Sequence, residues 1–274
     1  MINNLEFVER LRRRKNTQRY QQLLSTLLQR EVILQTFPAL KALPLPLHYP
    51  DGTPCSIEGA LANRSRILLC AEPGAGAQIA LAQLTARWCE QPASNVPLPF
   101  PIDVSSVDQA YASPIACLSA LLLSQQEVSG QPLRLQLLIS GWEELPATRR
   151  EAWRVALCGS LPERVVQIVV VVPHAERLWQ GFAPVIVGRP DLALQARWAT
   201  LLASNTVSAE QLAKLFRPGD RLFDALMQII TVQAGMVLSR AKAVEAGLEL
   251  LRHATQQAPS EMKLPLSFGI QHML

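Results

Sequence analysis

The chain has 274 residues, of which 49% are hydrophobic and 18% charged, and its formal net charge is +4. This length suits one α/β domain of about 200 residues with a smaller helical region, and the composition excludes a disordered chain. The mild positive charge excludes a protein that is basic over its whole surface. Because globular domains usually carry about 25% charged residues, the low charged content indicates either a surface covered by a partner or a large core, and both interpretations stay open.

Cysteine spacing and hydropathy indicate where such a protein works. The five cysteines form no C-x-x-C pair and have few histidines near them, so reduced thiols are predicted and no metal site. The longest apolar run, residues 165–172, ends at Pro173 and is far shorter than the about 18 residues of a membrane span. No apolar segment with a cleavage site follows the basic N-terminus. We therefore expect a cytoplasmic protein with no membrane-inserted segment.

The N-terminal region, residues 1–36, is predicted to form one or two amphipathic helices, because its apolar residues recur at helical spacing. Its basic patch consists of Arg10, Arg12, Arg13, Arg14, Lys15 and Arg19. Such a patch can bind the phosphates of a nucleic acid with salt-dependent affinity. The alternative is a solvated helix face or a protein contact, since no aromatic residue interleaves with these basic residues.

The middle of the chain alternates strand and helix patterns. Residues 37–60 are interpreted as a proline-rich linker and residues 61–190 as the α/β domain. The predicted strands begin at Arg66 and at residues 97, 133, 165 and 184. Strands that alternate with helices pair in parallel through right-handed crossovers, and any ligand crevice lies at their carboxyl ends. The prolines in the strand after residue 97 place it near a sheet edge.

The last third of the chain is predicted to be helical. Residues 191–258 contain about four apolar, helix-like segments punctuated by glycine and proline. Residues 259–274 form an apolar tail that either packs on its own domain or inserts into a partner.

A glycine-punctuated loop joins the strand at Arg66 to an apolar helix. Its sequence, A-E-P-G-A-G-A-Q over residues 71–78, has the strand-loop-helix setting of a phosphate-binding P-loop, G-x-x-x-x-G-K-[ST]. Ala77 stands at the phosphate-binding lysine and Gln78 at the hydroxyl that holds Mg²⁺. The backbone N–H groups of the loop still favour an anion. The residues of this vestigial site are Gly74, Ala75, Gly76, Ala77 and Gln78. We expect it to bind ATP or ADP weakly or not at all, with no catalytic residue and no metal.

Two later strand ends extend the pattern. Residues 137–145, L-L-I-S-G-W-E-E-L, form an apolar strand that ends at Ser140 and is followed by the acidic pair Glu143 and Glu144. These acids are interpreted as capping or solvated groups; a general-base role is the alternative, but no nucleophile or metal set accompanies them. His174 follows the next strand and, without a paired Asp or Cys, is interpreted as structural.

These landmarks, in this order, resemble the NACHT branch of the STAND class of P-loop NTPases over about residues 35–205. In that family the loop reads G-E-P-G-x-G-K-[ST], the Walker B strand ends in a D-G-x-D-E-like sequence whose first Asp holds Mg²⁺, and the next strand ends in a Thr-Ser-Arg sensor. This chain keeps the E-P-G-x-G centre and the acidic pair, with Ser140 at the aspartate and Val172, Pro173 and His174 at the sensor. The resemblance implies a P-loop NTPase-like parallel sheet flanked by helices, with a helical lid-like region. The departures from the family pattern, which remove the lysine, the hydroxyl, the aspartate and the sensor arginine, predict that the chain does not hydrolyse nucleotide.

Three functions are compatible with this reading of a pseudo-NTPase. The first is a non-catalytic scaffold or regulatory subunit in a hetero-oligomer with an active NTPase relative or an effector; the resemblance implies a bacterial defence or signalling setting. The second is a switch that binds nucleotide without turnover. The third is a nucleic-acid-binding module that uses the basic helix between Arg10 and Arg19.

Overall fold

The computed structural model describes most of the chain between residues 38 and 233. The described residues are 38–90, 97–107, 113–120, 134–176, 178–203, 208–217 and 219–233, with 242, 246 and 247. The predicted N-terminal helices and the predicted apolar tail lie outside them. The described residues form a six-stranded, mostly parallel sheet flanked by helices, which confirms the predicted α/β class with a P-loop NTPase-like architecture.

The sheet has the strand order β1-β6-β2-β5-β4-β3. Its strands are β1 (Leu47–His48), β2 (Arg66–Ala71), β3 (Leu98–Asp103), β4 (Leu135–Ser140), β5 (Val165–Pro173) and β6 (Ala183–Val187). All neighbours pair in parallel except β1, which is antiparallel to β6. Continuous burial along β2 and β4 agrees with helices on both faces of a parallel sheet. The proline-containing β3 lies at an edge, as predicted, where a missing N–H is tolerated.

Helices follow most of the strands. They are α1 (Ile57–Asn63), α2 (Ala77–Glu90), α3 (Val104–Val107), α4 (Ala147–Cys158), α5 (Leu192–Leu202), α6 (Ala209–Leu215) and α7 (Leu222–Gln233). Residues 114–120 are also helical. Side chains of Ser56, Asp191 and Ser208 accept hydrogen bonds from first-turn N–H groups of α1, α5 and α6, so these three helices begin at their N-cap residues. Most of the fourth predicted C-terminal helix lies outside the described residues.

The two faces of the sheet carry separate hydrophobic cores. Alternate residues of β2 contribute to each, because successive strand side chains point to opposite faces. Leu68 belongs to the core that contains Trp153 of α4, whereas Ile67 belongs to the core that contains Leu61 of α1 and Leu81 of α2. The loop after β2 is therefore supported from both sides.

The segment interpreted as a linker is packed into the fold over its described residues. β1 extends the sheet by pairing Leu47 with Val187 of β6. Leu40 and Leu43 are buried. The amide of Gln83 on α2 donates hydrogen bonds to the carbonyl oxygens of both leucines, at 2.6 and 2.8 Å. Residues 38–60 thus belong to the α/β unit; a two-residue strand is too short for its alternation to be recognised in sequence.

The C-terminal helices pack on that same segment. A third core joins Leu40 and Leu43 to side chains from α2, α5, α6 and α7. Trp198 of α5 is fully buried and its indole N–H donates to the carbonyl oxygen of Pro44 at 2.7 Å. The described parts of the predicted linker and of the predicted helical region are therefore held together by shared apolar contacts and by buried hydrogen bonds.

Replacing Gln83 tests this junction. Gln83→Leu removes the side-chain donor of the carbonyl oxygens of Leu40 and Leu43, of which Leu40 keeps only a long hydrogen bond from the N–H of Leu43, so we expect the free energy of unfolding to fall by about 1–3 kcal/mol in urea titrations. Gln180→Leu, in an exposed turn, is the control and should change it by less than about 0.5 kcal/mol. Equal effects of the two substitutions would contradict the structural role of Gln83.

Candidate functional site

The site lies at the carboxyl ends of the parallel strands, where the loop after β2 turns into α2. Gly74 and Gly76 have φ angles of +77° and +107°, which a residue with a side chain rarely adopts. α2 begins at Ala77. The loop therefore has the strand-turn-helix form of a P-loop, with glycines where the backbone turns most sharply.

A cavity of about 190 Å³ lies against this loop. It is bounded by the loop and the start of α2, by the residues after β4, by β5 and by α7. Its lining residues are Ala71, Glu72, Pro73, Gly74, Gly76, Ala77, Gln78, Ile79, Gly141, Trp142, Glu143, Glu144, Val171, Leu222, Phe223 and Leu226. The structure brings four of the five predicted binding residues together here, and the fifth, Ala75, is buried and does not line this cavity. The cavity is smaller than the roughly 300–1,000 Å³ of typical ligand sites.

The charge of the cavity is opposite to that of a nucleotide site. Among its lining residues, Glu72, Glu143 and Glu144 are acidic and none is basic. Ala77 is 7% exposed and supplies only a methyl group at the lysine position. Polyphosphates need compensating positive charge, from lysine or a metal ion, as well as backbone N–H groups. The lining side chains supply no positive charge, so any attraction for a phosphate in this cavity has to come from the backbone N–H groups of the loop.

The chain turns sharply directly after Ser140, the residue predicted to stand in place of a magnesium-binding aspartate. Ser140 ends β4, and Gly141 follows it with a φ of +75°. A Cβ on Gly141 would lie 2.1 Å from an oxygen of Asp103, so only glycine fits there. The Asp103 carboxylate accepts hydrogen bonds from the N–H and hydroxyl of Ser105, at 3.0 and 2.7 Å. Asp103, which pairs with Ser140 in the strand register, does not line the cavity, so it supplies no carboxylate there.

The acidic pair after β4 lines the cavity, although both side chains are exposed. Partial burial, and then the charge of Glu144, raise the pKa of Glu143, and Arg150 only partly offsets them. The cap of α4 is Pro146, which makes no side-chain hydrogen bond, so neither acid occupies the N-cap predicted as one of their roles. Between these acids and the core, Trp142 donates its indole N–H to Glu176, at 2.8 Å.

Helix α7 forms one wall of the cavity by direct contact with the loop. The N–H of Phe223 donates to the carbonyl oxygen of Gly74 at 3.0 Å, and the guanidinium of Arg221 donates to the carbonyl oxygen of Pro73 at 2.9 Å. A Cβ on Gly76 would lie 3.0 Å from a methyl carbon of Leu222. The first turn of α7 thus packs on the backbone of the P-loop-like segment. The sequence marked α7 as a helix; only the fold assigns its partner.

The position of the predicted sensor lies elsewhere. His174 begins a short 3-10 helix after β5 and does not line the cavity. It borders a second pocket, together with His48, Glu72, Arg189 and Arg221. Sequence reasoning missed Arg189 and Arg221, because they lie more than 100 residues after the loop and only the fold brings them beside it. Their one local signal is that they lie just before predicted helices.

Comparison with known proteins adds little to these observations. No model of a protein family matches the chain, and no curated protein matches it. Among solved structures, a chain in the structure of Drosophila ORC bound to DNA is similar over 74% of this chain, with 14% sequence identity and a TM-score of 0.36. The present chain covers 61% of that chain.

The described residues contain neither a membrane-spanning helix nor a cluster of metal-ligating side chains. None of the helices there is long and apolar enough to cross a bilayer. No group of three or more His, Cys, Asp or Glu side chains in that part of the chain is arranged to hold a metal ion.

The raised pKa of Glu143 predicts a pH-dependent effect. Its ionised form is less favourable in the folded than in the unfolded chain, so this residue lowers stability as the pH rises from the ordinary pKa of 4.5 through the raised value. Glu143→Gln should therefore raise the melting temperature at neutral pH and leave it nearly unchanged well below pH 4.5, where the carboxyl is protonated in both the folded and the unfolded chain. Glu163→Gln, at an exposed turn, is the control; equal effects at both pH values would contradict the assignment.

Proposed function

We propose that this protein is a pseudo-NTPase of NACHT-like ancestry that acts as a non-catalytic scaffold or regulatory subunit in a cytoplasmic protein assembly. The observation that carries the proposal is the contact of α7 with the P-loop-like segment. Leu222 and Phe223 occupy one side of a small acidic cavity where a nucleotide-binding protein needs space and positive charge. The strand-loop-helix arrangement of a P-loop is retained, whereas the side chains that act on phosphate in the family are absent.

The chemistry of phosphoryl transfer supports the loss of activity. That reaction depends on positioning and charge stabilisation, and a single cationic group can contribute about 10³–10⁵ in rate. Here Ala77, Gln78 and Ser140 replace the lysine, the hydroxyl and the magnesium-binding aspartate of the family pattern. Glu143 and Glu144 remain, but in the described residues they belong to no group of three or more His, Cys, Asp or Glu side chains arranged to hold a metal ion. We infer that the protein neither hydrolyses ATP nor depends on it.

The ancestry is proposed from order and placement together. The loop, the acidic pair and the His174 position follow each other along the chain as in NACHT proteins. In the sheet, β5 lies between β2 and β4, so the acidic pair and the loop face each other across the end of one strand. This placement fits the proposed correspondence of β2 and β4 with the Walker A and Walker B strands. The bacterial defence or signalling setting remains an extension of that ancestry.

Exposed apolar groups support a protein partner. Leu178 is 90% exposed beside a cleft of about 810 Å³ that also contains Trp142, Trp179, Arg150 and Pro184. Clefts with aromatic walls and arginine rims have the composition of protein interfaces. Together with the low charged content of the chain, they favour assembly with another protein, such as an active NTPase relative or an effector.

Native mass spectrometry of the protein, purified gently from its own host, tests the proposal. One spectrum reports both retained nucleotide and retained protein partners. We expect the chain in complex with other proteins and without nucleotide. A chain that appears alone with bound ATP or ADP would overturn the proposal in favour of a nucleotide-binding switch.

Restoring the family residues tests the proposed ancestry separately. Ala77→Lys, Gln78→Thr and Ser140→Asp together should produce measurable binding of Mg·ATP, seen as a rise in melting temperature with ATP concentration that the natural chain lacks. The matched control carries Ala77→Met with the other two changes, since Met has similar length without the charge. If a variant that circular dichroism shows to be folded binds no ATP, even when Leu222→Ala and Phe223→Ala also remove the apolar wall formed by α7, the alignment of residues 71–78 with a P-loop is contradicted.

A further inference from the structure

A second pocket, of about 240 Å³, lies on the other side of the P-loop-like segment. Its lining residues are His48, Glu72, Ala75, His174, Ile186, Val187, Gly188, Arg189 and Arg221. They come from β1, from the loop after β2, and from the carboxyl ends of β5 and β6 and the start of α7. Glu72 and Ala75 separate this pocket from the acidic cavity. The loop therefore has only acidic charged side chains on the cavity side, and two arginines together with Glu72 on the side of this pocket.

The basic groups of this pocket keep free donors. Arg189 donates one N–H to Glu72 at 3.1 Å, and its side chain is 64% exposed. Arg221 donates to the carbonyl oxygen of Pro73 and to Asp224, at 2.9 and 3.2 Å. A guanidinium has five N–H donors, so each arginine retains several that other described residues do not use.

The two histidines differ in what they can contribute. The Nδ1 of His48 lies 2.9 Å from the carbonyl oxygen of Tyr49, which only accepts, so the single N–H of its neutral ring is engaged there. His174 has a ring N–H in either tautomer. At the back of the pocket a Cβ on Gly188 would lie 2.8 Å from the Nε2 of His48, so glycine keeps this wall of the pocket open.

We propose that this pocket binds a phosphate group, either inorganic phosphate or a phosphate monoester. Arginine N–H groups in fork geometry suit tetrahedral oxyanions, and a pocket of about 240 Å³ has room for one with its water, since a water occupies about 30 Å³ in the liquid. The charged groups at the pocket are Arg189, Arg221, Glu72 and, beside Arg221, Asp224. Glu72 competes with the phosphate for Arg189. This inference stands independently of the scaffold function.

Binding of inorganic phosphate, followed by ³¹P NMR line broadening of the full chain in about 0.15 M salt, tests the proposal, since salt at this level screens distant charges. Arg189→Ala should weaken binding about tenfold or more, because it removes charge-assisted hydrogen bonds from an exposed side chain. Arg197→Ala, exposed on α5, is the matched control and should leave binding unchanged. Glu72→Gln should tighten binding severalfold, because it removes the competing carboxylate.

Arg189→Ala also separates this pocket from the loop cavity, because Arg189 lines the second pocket and not the acidic cavity. O-phosphoserine distinguishes the two sources of the phosphate group: binding of both compounds identifies a monoester site, and binding of inorganic phosphate alone identifies a site for the free ion. The proposal is overturned if the natural chain binds neither compound, or if Arg189→Ala binds phosphate as tightly as the natural chain does.

Discussion

The contact between the first turn of α7 and the loop after β2 connects the fold to its proposed role. The first N–H groups of a helix have no partner within it, and here Phe223 donates its N–H to the carbonyl oxygen of Gly74. Leu222 fills the space beside Gly76, which only a residue without a side chain leaves open. The loop is therefore held in its turned form by protein groups.

The same loop divides two chemical environments. On the side of the cavity, Glu72, Glu143 and Glu144 face apolar groups, and desolvation raises the pKa of Glu143. On the other side, Arg189 and Arg221 border a pocket at the ends of β5 and β6. Glu72 lines both and is paired with Arg189. The lining of the cavity thus has no basic side chain, whereas two arginines border the pocket on the other side of the loop.

The packing of residues 38–60 explains how α7 reaches the loop. Leu40 and Leu43 lie between α2 and the C-terminal helices, and the indole of Trp198 is hydrogen-bonded to Pro44. These contacts hold the helices against the carboxyl ends of the strands. If residues 38–60 were a free linker, the C-terminal helices would lose these contacts and the cavity would be open on this side. The described part of the predicted linker therefore contacts both the α/β region and the C-terminal helices.

The sequence by itself determined the class of the fold, the strand-loop-helix unit around Gly74 and Gly76, and the absence of a lysine at position 77. The predictions of these elements and of the edge position of β3 are confirmed. They were possible because buried parallel strands, glycine turns and prolines in edge strands leave strong local patterns in the sequence. The partners of the loop were decided only by tertiary structure. Phe223, Arg189 and His48 are far apart in the chain, and no periodicity or spacing of the sequence indicates that the elements carrying them meet at the loop after β2. Contacts of this kind depend on how the helices pack, which is set by the summed apolar surfaces of the whole domain.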